Sequence, residues 1–506
     1  MPVEIELKLR LDPRHVARLR KHPLLKRGVH HVSRKLYTIY YDTPDLELWR
    51  AGIALRLRRT GTRWIQTIKG GGSVVAGLHQ RDEFETEVAA PFPDVGAIGG
   101  ALAEHFASLK LRARLKPLFV TEFTRARWTL APAPGVEIEA SIDRGVIKCG
   151  DATEPICELE LEVKSGPPWR ACQAAMQLLK AAPLLVEDRS KADRGIALFL
   201  RHSRAPCKAP PSPIAAQMTS NDAFKALAQS CLAHYIANQH GMLEDDDPEY
   251  LHQMRVALRR LRSVVDTFSP LFPAAALQAP DAETHWLALE LGNARDWDVF
   301  ATESLAPAAA GRRRPAGMAT IAQSAARLHR DARRAARHAA ASARAQGLLL
   351  ALGGWLSAET WSIALDDAQR IRLQQPVAQF ARTVLDASSR RVNKRGRHLQ
   401  LLAPRELHRL RIAIKKLRYA TDFFAALYPR NHVKPYLARL AVLQQILGLI
   451  NDAATVPRLL EAVASSGILR REALDIILRQ NASLCARLLK RLPHAWQQFR
   501  RVRHFW

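Results

Sequence analysis

The chain has 506 residues, 48% of them apolar, which is too many for one hydrophobic core and enough for two or three. The 76 Lys and Arg against 48 Asp and Glu give a net charge of +28, a surplus that concentrates polyanions and makes their binding salt-sensitive. Three classes are disfavoured: the six scattered cysteines show no CxxC or metal-ligand spacing, two acids within the first six residues do not suit a signal peptide, and the longest apolar run, around Leu348–Leu356, is too short for a bilayer. A soluble, cytoplasmic protein is expected.

Residues 1–202 carry +8 of the net charge and residues 203–506 the other +20. The first part reads as strands alternating apolar with charged residues: Val3–Leu9, Gly52–Arg59, Arg63–Lys69, Arg81–Val88, Phe119–Leu130, Val136–Ile142 and Ile156–Lys164. Turns are expected at Gly70–Gly71–Gly72 and Pro132–Gly135, and short helices near 12–21, 94–109 and 167–181. Residues 203–218, rich in proline, form a linker.

From 219 to 506 the apolar period becomes 3.6, and long helices are broken at Pro248, Pro270, Pro315, Pro404 and Pro429. Leu251–Phe268 and Leu407–Phe424 match at 8 of 18 positions with an offset of 156. The same offset relates Phe224 to Phe380, Leu291–Gly292 to Leu447–Gly448, and Asp296 to Asp452, so two similar helical bundles are expected, with copies beginning near 221 and 377.

In a strand, residues two apart share a face. Glu4, Glu6 and Lys8 therefore point one way, as do Arg56 with Arg58, Arg125 with Arg127, Glu137 with Glu139 and Asp143, and Glu158 with Glu160 and Glu162. Any one of these strands fits an ordinary sheet with a solvated face. Their segregation by sign argues otherwise, because a merely soluble face mixes charges. Closed into a barrel with the charges inward, they would set carboxylates for Mg²⁺ or Mn²⁺ opposite Arg and Lys donors for phosphoryl oxygens.

Glu4-x-Glu6-x-Lys8, Tyr40–Tyr41–Asp42–Thr43, Leu55–Arg58, Lys69, Glu158–Glu162 and Ser190–Lys191–Ala192–Asp193–Arg194–Gly195 together resemble the CYTH, or triphosphate tunnel metalloenzyme, family over roughly residues 1–202. The resemblance implies a closed eight-stranded antiparallel tunnel that hydrolyses or cyclises triphosphates. It implies that Glu4 and Glu6 bind a divalent cation or orient the attacking water, that Lys8 contacts phosphate, and that Glu158, Glu160 and Glu162 complete the metal site. Arg56, Arg58, Lys69, Arg125, Arg127 and Lys191 would line the phosphate path; Arg81, with Glu83 and Glu85, would line the tunnel. Class IV adenylyl cyclases, thiamine triphosphatases and RNA triphosphatases share the resemblance, so the substrate is open between an organic and an inorganic triphosphate.

In the helical part, His252, Arg255, Arg259 and Arg262 fall on one helical face, and His408, Arg411, Lys415 and Arg418 repeat it. Arg260 and Lys416 widen the two stripes. A basic face is usually just solvated; two copies of one stripe point to a shared role. One His per motif, with no carboxylate beside it, is poor ligand density for a metal. The Arg312–Arg314 run and the Ala/Arg stretch Arg327–Arg344 read equally as solvated helix or as a further polyanion contact.

The paired LHxxR-x5-LR motif resembles the CHAD domain over residues 219–506, an all-α module of duplicated bundles associated with inorganic polyphosphate. That resemblance implies polyphosphate binding by the two stripes. The expected architecture is thus a multidomain chain, an antiparallel β tunnel followed by an all-α domain. The leading expectation is metal-dependent hydrolysis of inorganic triphosphate or short polyphosphate. The alternatives are a silent tunnel on a polyphosphate-binding, granule-associated protein, and a CYTH enzyme for nucleotide or thiamine triphosphate. Nucleic acid is disfavoured, since the basic stripes of the helical part lack interleaved aromatic platforms.

Overall fold

The computed structural model describes residues 3–97, 103, 105–106, 109–201, 205–310, 317–465 and 471–506. Arg312–Arg314 and half of the helix expected near 94–109 lie outside these. The chain forms two compact units: residues 1–205 with 341–360, and residues 206–340 with 361–506.

In the first unit, nine strands run in the order β5-β4-β3-β2-β6-β7-β8-β1-β9, and β5 also pairs with β1, so eight of them close a barrel. They are β1 (Val3–Leu11), β2 (Val29–Asp42), β3 (Ala54–Thr60), β4 (Arg63–Val75), β5 (Leu78–Val88), β6 (Lys116–Ala133), β7 (Val136–Cys149), β8 (Ala152–Ser165) and β9 (Leu184–Val186). All pairings are antiparallel. The β1 alternation has its cause here: Leu7, Leu9, Leu159 and Leu161 are fully buried on the outer face, where the helix Trp169–Leu178 covers β1 and β8. Glu4, Glu6 and Lys8 are left facing the lumen.

The sequence reading contains no strand at Val29–Asp42. This fourteen-residue strand is interrupted by a register shift between His31 and Arg34, and a bulge breaks the period-2 signal. The expected turn at Gly70–Gly72 is also a bulge, inside β4, between Gly70 and Ser73. Gly72 has φ +80°, and a Cβ there would lie 1.8 Å from the Gln80 carbonyl oxygen, so glycine is required. The hairpin turns instead at Ala76 and Gly77, both at positive φ.

Tyr40–Tyr41–Asp42–Thr43 has a structural role. The Asp42 carboxylate accepts from the amides of Thr43, Leu48 and Trp49 at 2.6, 2.9 and 2.9 Å, fixing the turn after β2. The Ser190–Gly195 motif starts the helix Lys191–Phe199 with a reciprocal cap between Ser190 and Asp193. A Cβ at Gly195 would fall 2.0 Å from the Phe119 ring, and Ile196 joins Tyr40, Phe119 and Phe123 in an apolar cluster. This packing sets Lys191 against the carboxylates of β7 and β8.

The helix Ala343–Ala358 belongs to this first unit. It lies against the helix Trp169–Leu178 and β9. The apolar run Leu348–Leu356 is therefore mostly buried against the barrel's covering layer, with Leu350 and Leu356 fully so.

The second unit carries the repeat. Pro248–Phe268 and Pro404–Phe424 begin and end at positions that differ by the offset seen in the sequence. Ser220–Glu244 corresponds to Val377–Arg395, and Ala274–Val299 to Arg430–Ala453. The two copies meet through their matching aromatic residues: Phe268 lies 4.9 Å from Phe380 and 6.1 Å from Phe424. Among the described residues no helix is long and apolar enough to cross a membrane.

Candidate functional site

Strand order groups the charges. β3, β2 and β6 are neighbours and bring Arg56, Arg58, Arg34, Arg125 and Arg127 to one wall of the lumen; β7, β8 and β1 are neighbours and bring Glu139, Glu160, Glu162, Glu4 and Glu6 to another. β4 and β5 add Lys69, Arg81, Glu83 and Glu85. Together they line a cavity of about 320 Å³. Glu158 alone of the sequence-expected tunnel residues is missing from this lining. It is buried behind the cavity and pairs with Lys191 and with Arg194, the latter at 2.9 Å.

The lumen has a closed inner end and an open stretch. At the inner end, Lys8 Nζ lies 2.6 Å from Glu6 and 2.7 Å from Glu160. Lys191 Nζ lies 2.7 Å from Asp143 and 3.0 Å from Glu160. Arg125 holds Asp143 at 2.6 Å and also pairs with Glu160. Burial pushes the Glu160 carboxyl up, yet Lys191, Lys8 and Arg125 hold it well below its ordinary range. Burial likewise opposes ionisation of Glu6, but Lys8 draws it to about 2. Asp143, Glu158 and Glu160 converge within 4.8 Å, a spacing a metal ion could span. Lys8, Arg125, Lys191 and Arg194 already pair with these three carboxylates, so the convergence reads as a salt-bridged floor.

The open stretch is different. Burial and then the neighbouring Glu6 raise Glu4, which pairs with Lys69. Burial, then Glu139 and Glu6, raise Glu162, which pairs with Lys164. These carboxylates repel one another, and hard oxygen donors so arranged fit a divalent cation of the Mg²⁺ or Mn²⁺ type. On the basic wall, Arg56 is 3.7 Å from Glu83, Arg127 3.4 Å from Glu139, and Arg81 3.9 Å from Asp193. Arg58 has no carboxylate within ion-pair distance among the described residues; its Nε donates to Thr38 Oγ1 at 3.3 Å. Burial, with Arg56 and Arg125 beside it, lowers its pKa to about 10. An anion is what this position lacks.

Asp143, Glu139, Lys164 and Arg34 were not singled out as site residues from the sequence. The first two were legible as face-mates of β7. Arg34 lies beyond the β2 bulge, and Lys164 reaches the lumen from the end of β8.

In the second unit, His252, Arg255, Arg259, Arg260, Arg411, Lys415 and Arg418 line one cavity of about 1410 Å³. Burial and then Arg411 and Arg259 pull Lys415 down to about 7, and burial and then Arg259 pull Arg255 to about 10. Arg262 and Lys416 face a neighbouring cavity, paired with Asp281 at 3.2 Å and Asp266 at 2.8 Å. His408 lies off both, bonded to Asn451 at 3.0 Å. The repeat-related Asp296 and Asp452, with Arg295, also line the larger cavity.

The CYTH domain family matches residues 2–196 and the CHAD domain family matches residues 226–461. An inorganic triphosphatase of Haemophilus influenzae is 32% identical over 196 residues, covering 38% of this chain and 54% of that protein. The chain thus spans about half the length of that curated relative. The crystal structure of the CHAD domain from the plant Ricinus communis is 31% identical, with a TM-score of 0.50, covering 60% of this chain and 98% of that one.

Proposed function

The chain belongs to the CYTH family over residues 2–196 and to the CHAD family over residues 226–461, and on that premise we propose that it hydrolyses inorganic triphosphate or short polyphosphate in the barrel lumen with Mg²⁺ or Mn²⁺. The observation that carries this reading is the sign-segregated lumen, with Arg58 lacking a counter-ion on the basic wall and Glu4, Glu6, Glu139 and Glu162 crowded opposite. A linear phosphoanhydride fits both walls at once. Tyr40 is the aromatic residue among the described lining and is already stacked on Phe119 at 4.6 Å, so no free ring awaits a base. That favours an inorganic over a nucleotide triphosphate.

Arg56, Arg58, Lys69, Arg81 and Arg127 bind phosphoryl oxygens and exchange carboxylate partners for them. Lys8, Arg125 and Lys191, oriented by Asp143, Glu158 and Glu160, offer N–H donors at the inner end where a terminal phosphoryl group sits. Glu4 and Glu6, with Glu162, hold the divalent cation or orient the attacking water. A divalent cation held by these carboxylates would supply neutralisation of the charge that develops on the phosphoryl oxygens. Neutralisation and alignment are most of what phosphoryl transfer requires.

We further assign polyphosphate binding, in the cytoplasm or on phosphate granules, to the stripes of the second unit, led by Arg255, Arg259, Arg411 and Lys415, with Arg260, Arg418 and His252 around them. The test follows phosphate release from inorganic triphosphate with Mg²⁺ or Mn²⁺, with ATP and thiamine triphosphate as competitors, beside a Glu4→Ala/Glu6→Ala variant. No release by the parent defeats the enzymatic reading. Polyphosphate and duplex DNA of matched charge, titrated into Arg255→Glu/Arg411→Glu, test the second assignment; unchanged polyphosphate affinity defeats it.

A further inference from the structure

β1 changes partner at Lys8. Before it the strand pairs with β5, ending at Leu7 opposite Leu78; after it the strand pairs with β9, beginning at Leu9 opposite Val186. The Lys8 backbone is the joint between them. Its N–H donates to the Gly77 carbonyl at 2.9 Å, and its carbonyl accepts from the Glu187 amide at 3.1 Å. β8 pairs one edge of β1 through this stretch, so a three-residue strand and a tight turn hold the other edge at Lys8, whose ammonium sits between Glu6 and Glu160.

Neither support is held by the barrel alone. β9 is an edge strand, and an edge amide that is buried must find an acceptor. The Val186 amide finds it in Gln346, whose Oε1 lies 2.9 Å away and whose side chain is fully buried. On the turn side, Gly353 faces Ala76 so closely that an added Cβ would lie 2.9 Å from the Ala76 Cβ. Both residues are on the helix Ala343–Ala358, which in sequence lies between the two copies of the helical repeat.

We propose that Gln346 and Gly353 are positioning residues of the lumen: the helix Ala343–Ala358 is the last element of the discontinuous barrel unit and fixes Lys8 by gripping β9 and the Ala76–Gly77 turn. The inference rests on the triphosphatase reading for its kinetic consequence and on geometry alone for its structural one. Gln346 acts through Val186 and Glu187, and Gly353 acts through Ala76 and Gly77. A displaced Lys8 ammonium stabilises the reacting phosphoryl group less well, while the cations of the open stretch still bind substrate. The cost therefore falls on kcat more than on KM.

The experiment uses the full chain carrying Gln346→Met, which keeps the volume and removes the acceptor; Gln346→Glu, which restores it; and Gly353→Ala, which presses on the turn. Triphosphate hydrolysis and backbone hydrogen exchange are both followed. Gln346→Met and Gly353→Ala should lower kcat about tenfold with KM nearly unchanged, and Gln346→Glu should recover part of the loss. Exchange should quicken in peptides covering 3–11 and 74–79 and stay as in the parent over 136–149. Parent kcat together with parent exchange at 3–11 in folded variants overturns the inference. Should Gln346→Met fail to fold, Gly353→Ala alone decides it by the same two readouts. A parent without hydrolysis refutes the triphosphatase reading, and the exchange pattern then decides this one by itself.

Discussion

Lys8 and Glu160 stand opposite each other in the β1–β8 ladder, and their side chains, both more than nine-tenths buried, meet at 2.7 Å. Glu160 also receives Lys191 and Arg125, so a single carboxylate holds three cations from three different elements.

Glu160→Gln should accordingly destabilise the barrel unit by about 3–5 kcal/mol, because it strands buried positive charge. The folded Glu160 carboxyl titrates well below its unfolded value, so its contribution is complete above the unfolded pKa and disappears as pH falls through the folded one. Urea unfolding at neutral pH measures the loss. The parent should converge on the variant in acid; a constant gap down to low pH would contradict the assignment.

Asp188 behaves in the opposite sense. Burial pushes its carboxyl up to about 7, although the Gly77 amide donates to it at 2.7 Å. The folded chain thus keeps a proton that the unfolded chain releases near pH 4. Stability from this group is full below that pH and is lost progressively as pH rises towards 7. In Asp188→Asn this slope should vanish from a thermal-unfolding series between pH 4 and 8.

Arg58→Ala separates binding from folding. The guanidinium has no carboxylate to leave behind, so unfolding free energy should be unchanged or slightly higher. KM for inorganic triphosphate should rise on the order of tenfold, the worth of one charge-assisted contact. A marked drop in stability with KM intact would make Arg58 a structural residue.

Lys415 places a titration in the working range of the helical unit. With its pKa drawn to about 7 by burial and by Arg411 and Arg259, it is charged below that pH and neutral above. Polyphosphate affinity should fall severalfold between pH 6 and pH 8 at fixed ionic strength. Lys415→Arg, which stays charged, should flatten the profile. Calorimetry in buffers of different ionisation enthalpy should show proton uptake on binding to the parent near pH 7.5.

Much of the site could be read from alternation alone. Glu4, Glu6 and Lys8, Arg56 and Arg58, and Arg125 and Arg127 line the lumen because their strands keep period 2 through the charged segment. What escaped did so where period and proximity fail. β2 is broken by its bulge at His31/Arg34, and the Gly70–Gly72 segment resembles a turn because glycine serves turns and bulges alike. Glu158 keeps the parity of Glu160 and Glu162, yet the helix Lys191–Phe199 covers it, a tertiary fact no local pattern carries. Gln346 sits 160 residues from Val186 on a helix that is apolar on most sides, and nothing in its neighbourhood marks it as a barrel residue.

The discontinuity of the barrel unit also sets a timetable for synthesis. When Ala205 leaves the ribosome, every strand has been made, but the edge of β9 and the Ala76 turn have nothing to rest on until Thr360 follows. At roughly 5–20 residues per second that interval is about 8–30 seconds. Through all of it the nascent barrel shows a bare apolar groove and an unsatisfied strand edge, while the first half of a highly basic helical unit emerges behind it.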